Sequence, residues 1–225
     1  LARNDWPSLA KDLGEASNID TGNYAGFLQA LENRRQYFKE NGAVSTDHSH
    51  FDAGSEPLSD TEAQRIYAAA LRGEATKEEA DAFRRNMMLE TARMACDDGL
   101  VMTLHPAVRR DHDPHNLAKY GLDVGSDIPV KVEFTEALRP LLGRYGNHPN
   151  LNLVVFTLDE TVYSRELAPL AGFYRSLYVG APWWFIDSPE AIRRFRSAIT
   201  DTAGFYRTSG FIDDTRAFLS IPTRH

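Results

Sequence analysis

Apolar residues recur along this chain mostly at helical spacing. Tyr24, Phe27, Leu28, Leu31 and Phe38 fall on one face of a predicted helix, with Glu32, Arg34 and Lys39 toward solvent. Gly42 marks where that helix stops. Ser59-Asp60-Thr61-Glu62 reads as a capping box for a helix that turns Ala63, Ile66, Tyr67 and Ala70 inward. Thr76-Lys77-Glu78-Glu79 opens another, followed by Phe83, Met87 and Met94 at helical spacing. Further helices are expected from about Phe134, about Val162 and Ser188-Pro189-Glu190, the last with proline in a favourable first-turn position.

Between these helices lie five short apolar runs with strand character: Ala43–Thr46, Leu100–His105, Leu151–Thr157, Leu177–Gly180 and Phe211–Asp213. Such alternation predicts an α/β protein with a parallel sheet, doubly wound or closed into a barrel. The continuous apolar stretch Leu153-Val154-Val155-Phe156 suits burial on both faces. Polar residues follow several strands and favour the barrel, where the C-terminal strand ends converge on one mouth. Asp47-His48-Ser49-His50 follows the first strand, His105 ends the second, Trp183-Trp184 follows the fourth and Asp214-Thr215-Arg216 the fifth. An eight-stranded barrel needs more strands than these five.

Composition narrows the partners. The 225 residues are 42% hydrophobic, enough for a packed core, and the net charge of −7 argues against a general nucleic-acid or anionic-membrane surface. An acidic whole still binds an anion where a few arginines converge. Cys96 is the sole cysteine, so no intrachain disulfide forms, which fits a reducing compartment. No window approaches the roughly 18 apolar residues of a spanning helix, and Leu1–Pro7 has no signal-peptide pattern. The expectation is a cytoplasmic protein, and Leu1 in place of Met suggests that residues precede this segment.

The motifs resemble one family. Ser45-Thr46-Asp47-His48-Ser49-His50 is similar to an S-T-D-H-G-H segment, and Val101-Met102-Thr103-Leu104-His105 to a V-M-Q-L-H strand with Arg109-Arg110 near its downstream arginine. Gly121–Asp127 resembles a G-x-D-x-G-x-D loop, and Trp183-Trp184-Phe185-Ile186-Asp187 resembles W-W-F-N-D. Asp214–Ser220 with Thr223-Arg224-His225 resembles D-S-R-S-F-L-S followed by R-H. These are the motifs of uronate isomerases, of the amidohydrolase superfamily, in the same order from about Tyr24 to the last residue. Departures include Ser49 for glycine, Phe51 where proline is usual, His105-Pro106-Ala107-Val108 for H-I-G-A, and Ile186 and Ser188 for polar residues.

The resemblance implies a (β/α)8 TIM-like barrel of the amidohydrolase type. This chain, residues 1–225, would be the C-terminal part of that single domain, supplying about the fourth to eighth strands and helical insertions. The first strands, with an H-x-H metal motif, would lie outside it, and the segment would need them to fold and act. The implied activity interconverts D-glucuronate with D-fructuronate and D-galacturonate with D-tagaturonate by proton transfer between C2 and C1. It implies a divalent metal, zinc, with its main ligands outside this chain, and no organic cofactor. The implied partner is a hexuronate, with neither nucleic acid nor membrane, and a homo-oligomer is allowed. Two other readings stand beside it: a metal-dependent hydrolase of the same superfamily, or a non-catalytic sugar-binding component.

Asp214 is the foremost catalytic candidate and a metal ligand by the resemblance; read alone, it equally caps the following turn. His105 and Asp47 join it as catalytic candidates, although a lone histidine after an apolar strand is ordinarily a core residue. Arg216 and Arg110 are candidate substrate binders, because guanidinium pairs bidentately with planar anions; a surface salt bridge is the plain alternative. His48 is a further substrate-binding candidate, while Asp47, His48 and His50 also read as a generic metal cluster or a turn. Trp183 and Trp184 are candidate walls for the sugar, one facing the mouth and the other the core if both lie on a strand. His112, Asp113 and His115 look metal-like but sit in a polar loop.

Overall fold

The computed structural model describes Leu1 and residues 5–209. Helices α1 (Trp6–Ser17), α2 (Tyr24–Glu40), α3 (Asp60–Leu71) and the long α4 (Lys77–Asp98) dominate the first half. Each later start is chemically marked. Asn23 and Ser59 accept the backbone N–H groups of Gly26 and Glu62, and Thr76 with Glu79 forms the reciprocal capping box that its sequence predicts. Helix α2 ends at Glu40, two residues before Gly42 with its left-handed φ of 95°. Of its predicted apolar face, Tyr24 and Phe27 are buried, whereas Phe38 is exposed.

Helix α4 ties two cores together. Its Phe83 packs with Tyr24, Phe27, Ile66 and Tyr67 in an aromatic cluster joined by Trp6. Two turns later Met88, Leu89, Ala92, Ala95 and Cys96 lie in the main core beneath the sheet. Tyr67 anchors the aromatic cluster to the α1–α2 turn by donating its hydroxyl to the Thr21 carbonyl at 2.7 Å.

The sheet has four parallel strands in the order β1 (Ser45–His50), β2 (Val101–Pro106), β5 (Leu153–Val155) and β6 (Leu177–Val179). Sequential neighbours joined by helical crossovers are the pattern expected of a barrel sector. One face carries Met102, Leu104, Leu153, Val155, Leu177 and Val179, all fully buried against helices α4, α6 (Arg139–Tyr145), α7 (Ala168–Phe173) and α8 (Pro189–Ala203). The other face carries Asp47, Thr103, His105, Val154, Phe156 and Tyr178. Beyond β6, Thr208 makes a parallel bridge to Val179. The predicted fifth strand at Phe211–Asp213 lies outside the described residues.

Two expectations change. The first strand runs Ser45–His50, so Asp47, His48 and His50 lie within it, not after it. Pairing with β2 in the register Asp47↔Thr103 supplies the order that its polar letters do not. The loop after β2 also folds into a short antiparallel hairpin, β3 (Val108–Arg109) against β4 (Ile128–Pro129), spanning α5 (Pro114–Tyr120). Between these elements Glu166, almost fully buried, accepts the backbone N–H groups of Phe134 and Thr135 at 2.6 and 3.2 Å and pairs with Arg165. No helix among the described residues is long and apolar enough to cross a membrane.

A Cβ at Gly26 would sit 1.8 Å from the Asp20 carbonyl oxygen, whereas one at exposed Gly143 in α6 meets nothing within 4 Å. Gly26→Ala is expected to lower stability by roughly 2–4 kcal/mol through backbone displacement. Gly143→Ala is expected to raise it by about 0.5–1 kcal/mol through helix propensity. Denaturant titration of both variants checks the contrast.

Candidate active site

Parallel strands place every C-terminal end on one edge, and there the non-helical face becomes polar. Asp47 on β1 stands opposite Thr103 on β2, and His105 lies two residues further along the same face. Asp47 Oδ1 lies 2.6 Å from His105 Nδ1 and accepts the Thr103 hydroxyl at 2.6 Å. A carboxylate only accepts, so Nδ1 carries the ring proton and Nε2 is left as the acceptor. Partial burial pushes the Asp47 carboxyl up. The Thr103 hydroxyl, His105 and the His48 backbone N–H outweigh that push and hold it below its ordinary value of 3.8.

Aromatic rings fix the imidazole from two sides. Phe156, the residue after β5, stacks on it at 4.1 Å and 15°, and Trp183 meets it edge-on at 4.8 Å. Gly180 makes room, because a Cβ there would come within 2.5 Å of the Phe156 ring. Trp184 lies 4.6 Å from Trp183, and the Arg110 guanidinium covers its ring at 5.2 Å. Arg110 in turn pairs with Asp127 at 3.2 Å and Asp123 at 3.5 Å. Arg109 instead lies over Phe51.

Asp47, His105, Trp183, Trp184 and Arg110 thus form one connected group. The two tryptophans do not divide between mouth and core. They belong to a turn, not a strand: Trp183 caps the short helix Trp184–Ile186, Trp184 has φ 44°, and Ile186 is the buried member. His48 departs from its predicted role, because strand alternation turns it to the face opposite Asp47. There it bonds Thr46 Oγ1, with His50 6.2 Å away. Burial, and the positive charge of Arg35 and Arg84 respectively, push both histidines down to about 4. Asp113, in the segment expected to be a polar loop, caps α5 by accepting the His115 N–H. Asp214 and Arg216 lie outside the described residues.

Thr103 and Phe156 are site residues that the sequence reading passes over. Period-two spacing from His105 points to Thr103, whereas Phe156 becomes a neighbour only once the β2–β5 register is known. Among the described residues, no three His, Cys, Asp or Glu side chains are grouped to hold a metal ion. Asp47 and His105 are engaged with each other and do not fit that role as a set.

A parallel sheet carrying a histidine–carboxylate pair, an aromatic wall and an arginine at one edge has the form of a strand-end active site in the α/β barrel class. The sequence profile of the glucuronate isomerase family matches residues 1–225, and the chain belongs to that family. It is 53% identical over 224 residues to the uronate isomerase of Cutibacterium acnes, covering 100% of this chain and 47% of that protein. The crystal structure of glucuronate isomerase from Caulobacter crescentus superposes with a TM-score of 0.94 at 49% identity, over 99% of this chain and 47% of that one. The uronate isomerase structure from Thermotoga maritima gives 0.92 at 28% identity, over 99% and 49%. The chain therefore spans about half the length of these relatives. Coverage gives the extent of the match and not its place along them, and the expected C-terminal position does not follow from it.

Two outcomes follow from this geometry. Gly180→Ala is expected to push the Phe156 ring off His105, costing roughly 1–3 kcal/mol. The loss of the Phe156 ring-current shift on the His105 ring protons, read by NMR, checks it. His48 and His50 are held neutral in the fold, with values lowered from 6.5 to about 4. Unfolding therefore takes up protons below 6.5, so their contribution is full above that pH and is lost as pH falls toward 4. Replacing both by Gln should flatten the unfolding midpoint of the intact protein across that window.

Proposed function

We propose that this chain contributes a catalytic half-site to a uronate isomerase that interconverts D-glucuronate with D-fructuronate and D-galacturonate with D-tagaturonate. The observation that carries the reading is the 2.6 Å Asp47–His105 pair at the strand-end mouth of a chain belonging to this family. The reaction moves a proton between C2 and C1 through an enediol. It needs a proton carrier beside the sugar, polarisation of its oxygens and a counter-charge for its carboxylate. In this reading His105 presents Nε2 to the sugar and exchanges the proton. Asp47 orients the ring and stabilises it when protonated.

Arg110, braced by Asp127, offers its guanidinium to the sugar carboxylate or oxygens. Trp183 and Trp184 wall the C–H face. Asp214 and Arg216 complete the machinery, as the D-x-R-x-F-L-S resemblance implies. A divalent metal, zinc by that resemblance, would be held by groups outside the described residues, Asp214 among them, and would polarise substrate oxygens. The four strands of the parallel sheet, extended by the bridge at Thr208, are read as successive staves of an amidohydrolase-type (β/α)8 barrel, whose remaining strands a longer, cytoplasmic protein supplies.

The test is ketose formation from both uronates by the intact protein. His105→Asn, Asp47→Asn and Asp214→Asn are each expected to cut kcat by ~10²–10⁴-fold with the fold retained. Failure of the intact, folded, metal-replete protein to turn over either acid refutes the isomerase reading.

A further inference from the structure

We propose that Thr103 is a positioning residue that clamps the Asp47 carboxylate against the central strand and thereby fixes the orientation and tautomer of His105. This rests on the isomerase reading of the Asp47–His105 pair. The carboxylate needs a clamp: β1 has β2 as its only partner among the described strands, and the Asp47 side chain is 66% exposed. A free aspartate at such a place exchanges rotamers readily. Thr103 sits instead on β2, hydrogen-bonded to β1 on one side and β5 on the other, so its hydroxyl is referenced to a strand held on both edges.

The hydroxyl has one proton and two acceptors in reach, Asp47 Oδ1 at 2.6 Å and the Thr46 carbonyl at 3.1 Å. The shorter and charged acceptor takes it. Asp47 Oδ1 is then shared by Thr103 and His105 Nδ1, a chain of three groups in which the middle one cannot swing without breaking two bonds. Phe156 and Trp183 hold the ring plane, but neither of their face and edge contacts distinguishes Nδ1 from Nε2. Among the described residues the carboxylate is the group that does, and Thr103 fixes it. The same bond favours the ionised carboxylate, so its removal raises the pH at which Asp47 takes up a proton.

The experiment compares the intact wild-type protein with Thr103→Val, which keeps the shape and removes the donor, and Thr103→Ser, which keeps the donor. Two readouts are taken: side-chain nitrogen shifts of His105 without substrate, and the pH dependence of kcat/KM with D-glucuronate. Thr103→Val is expected to mix the two His105 tautomers and move the acid limb toward neutral pH. It should also lower kcat about tenfold while KM changes less than about twofold. Thr103→Ser is expected to restore all of these. Wild-type shifts and profile in the valine variant, or equal damage in the serine variant, overturn the proposal. If wild-type protein turns over no uronate the isomerase reading falls, and the nitrogen shifts alone decide whether Thr103 sets the tautomer.

Discussion

The register of β1 on β2 determines the chemistry at this site. Asp47 lies opposite Thr103 and Ser49 opposite His105, which puts a carboxylate, a hydroxyl and an imidazole on one face within bonding distance. A slip by one residue would send Asp47 to the helix side and bring His48 and His50 to the mouth. Nothing in the polar sequence of β1 resists that slip through hydrophobic burial. The resistance comes from β2, whose Met102 and Leu104 are fully buried in the main core, and from the Thr103–Asp47–His105 bonds themselves. A strand with few apolar anchors is thus held partly by its own functional groups.

That arrangement explains why the helical layer is so extensive. Of the two strands bonded to β2, β5 contributes only Leu153–Val155. The sheet therefore relies on what lies beneath it. Helix α4 reaches from the aromatic cluster around Tyr67 to the core under Met102, so one continuous helix is packed into both clusters. The ion pairs of His50's neighbour Arg84 with Asp52, and of Arg35 with Asp98, close the space around the helix-facing histidines. These pairs are structural: they place positive charge beside imidazoles that the fold keeps neutral.

Much of this was legible in the sequence. Caps at Ser59, Thr76 and Ser188 were readable because they depend on local chemistry over three or four residues. The apolar runs at Leu100, Leu151 and Leu177 were readable because strands buried on one side by helices must be apolar there. The first strand lies further along than its apolar run because its order comes from pairing rather than from its letters. The same limit hid the roles of His48, Phe156 and the tryptophan pair. Face, register and a left-handed φ at Trp184 are properties of neighbours and backbone that no linear pattern contains. The hairpin of β3 and β4 escaped for a related reason, since two-residue strands carry no periodicity to read.

The electrostatics of the pair also divide its labour. A general acid or base works best when its proton affinity lies near the working pH. Asp47, with its carboxyl held below the ordinary carboxylate range, is therefore suited to remain an anion, not to carry the proton itself. As an anion it accepts the Nδ1 proton of His105 and holds the ring in one tautomer. The stacked Phe156 and edge-on Trp183 cover two sides of the same ring, and the His105 side chain stays 20% exposed. Arg110 over Trp184 adds a guanidinium to the same wall, held in place by the Asp127 and Asp123 carboxylates that offset its charge.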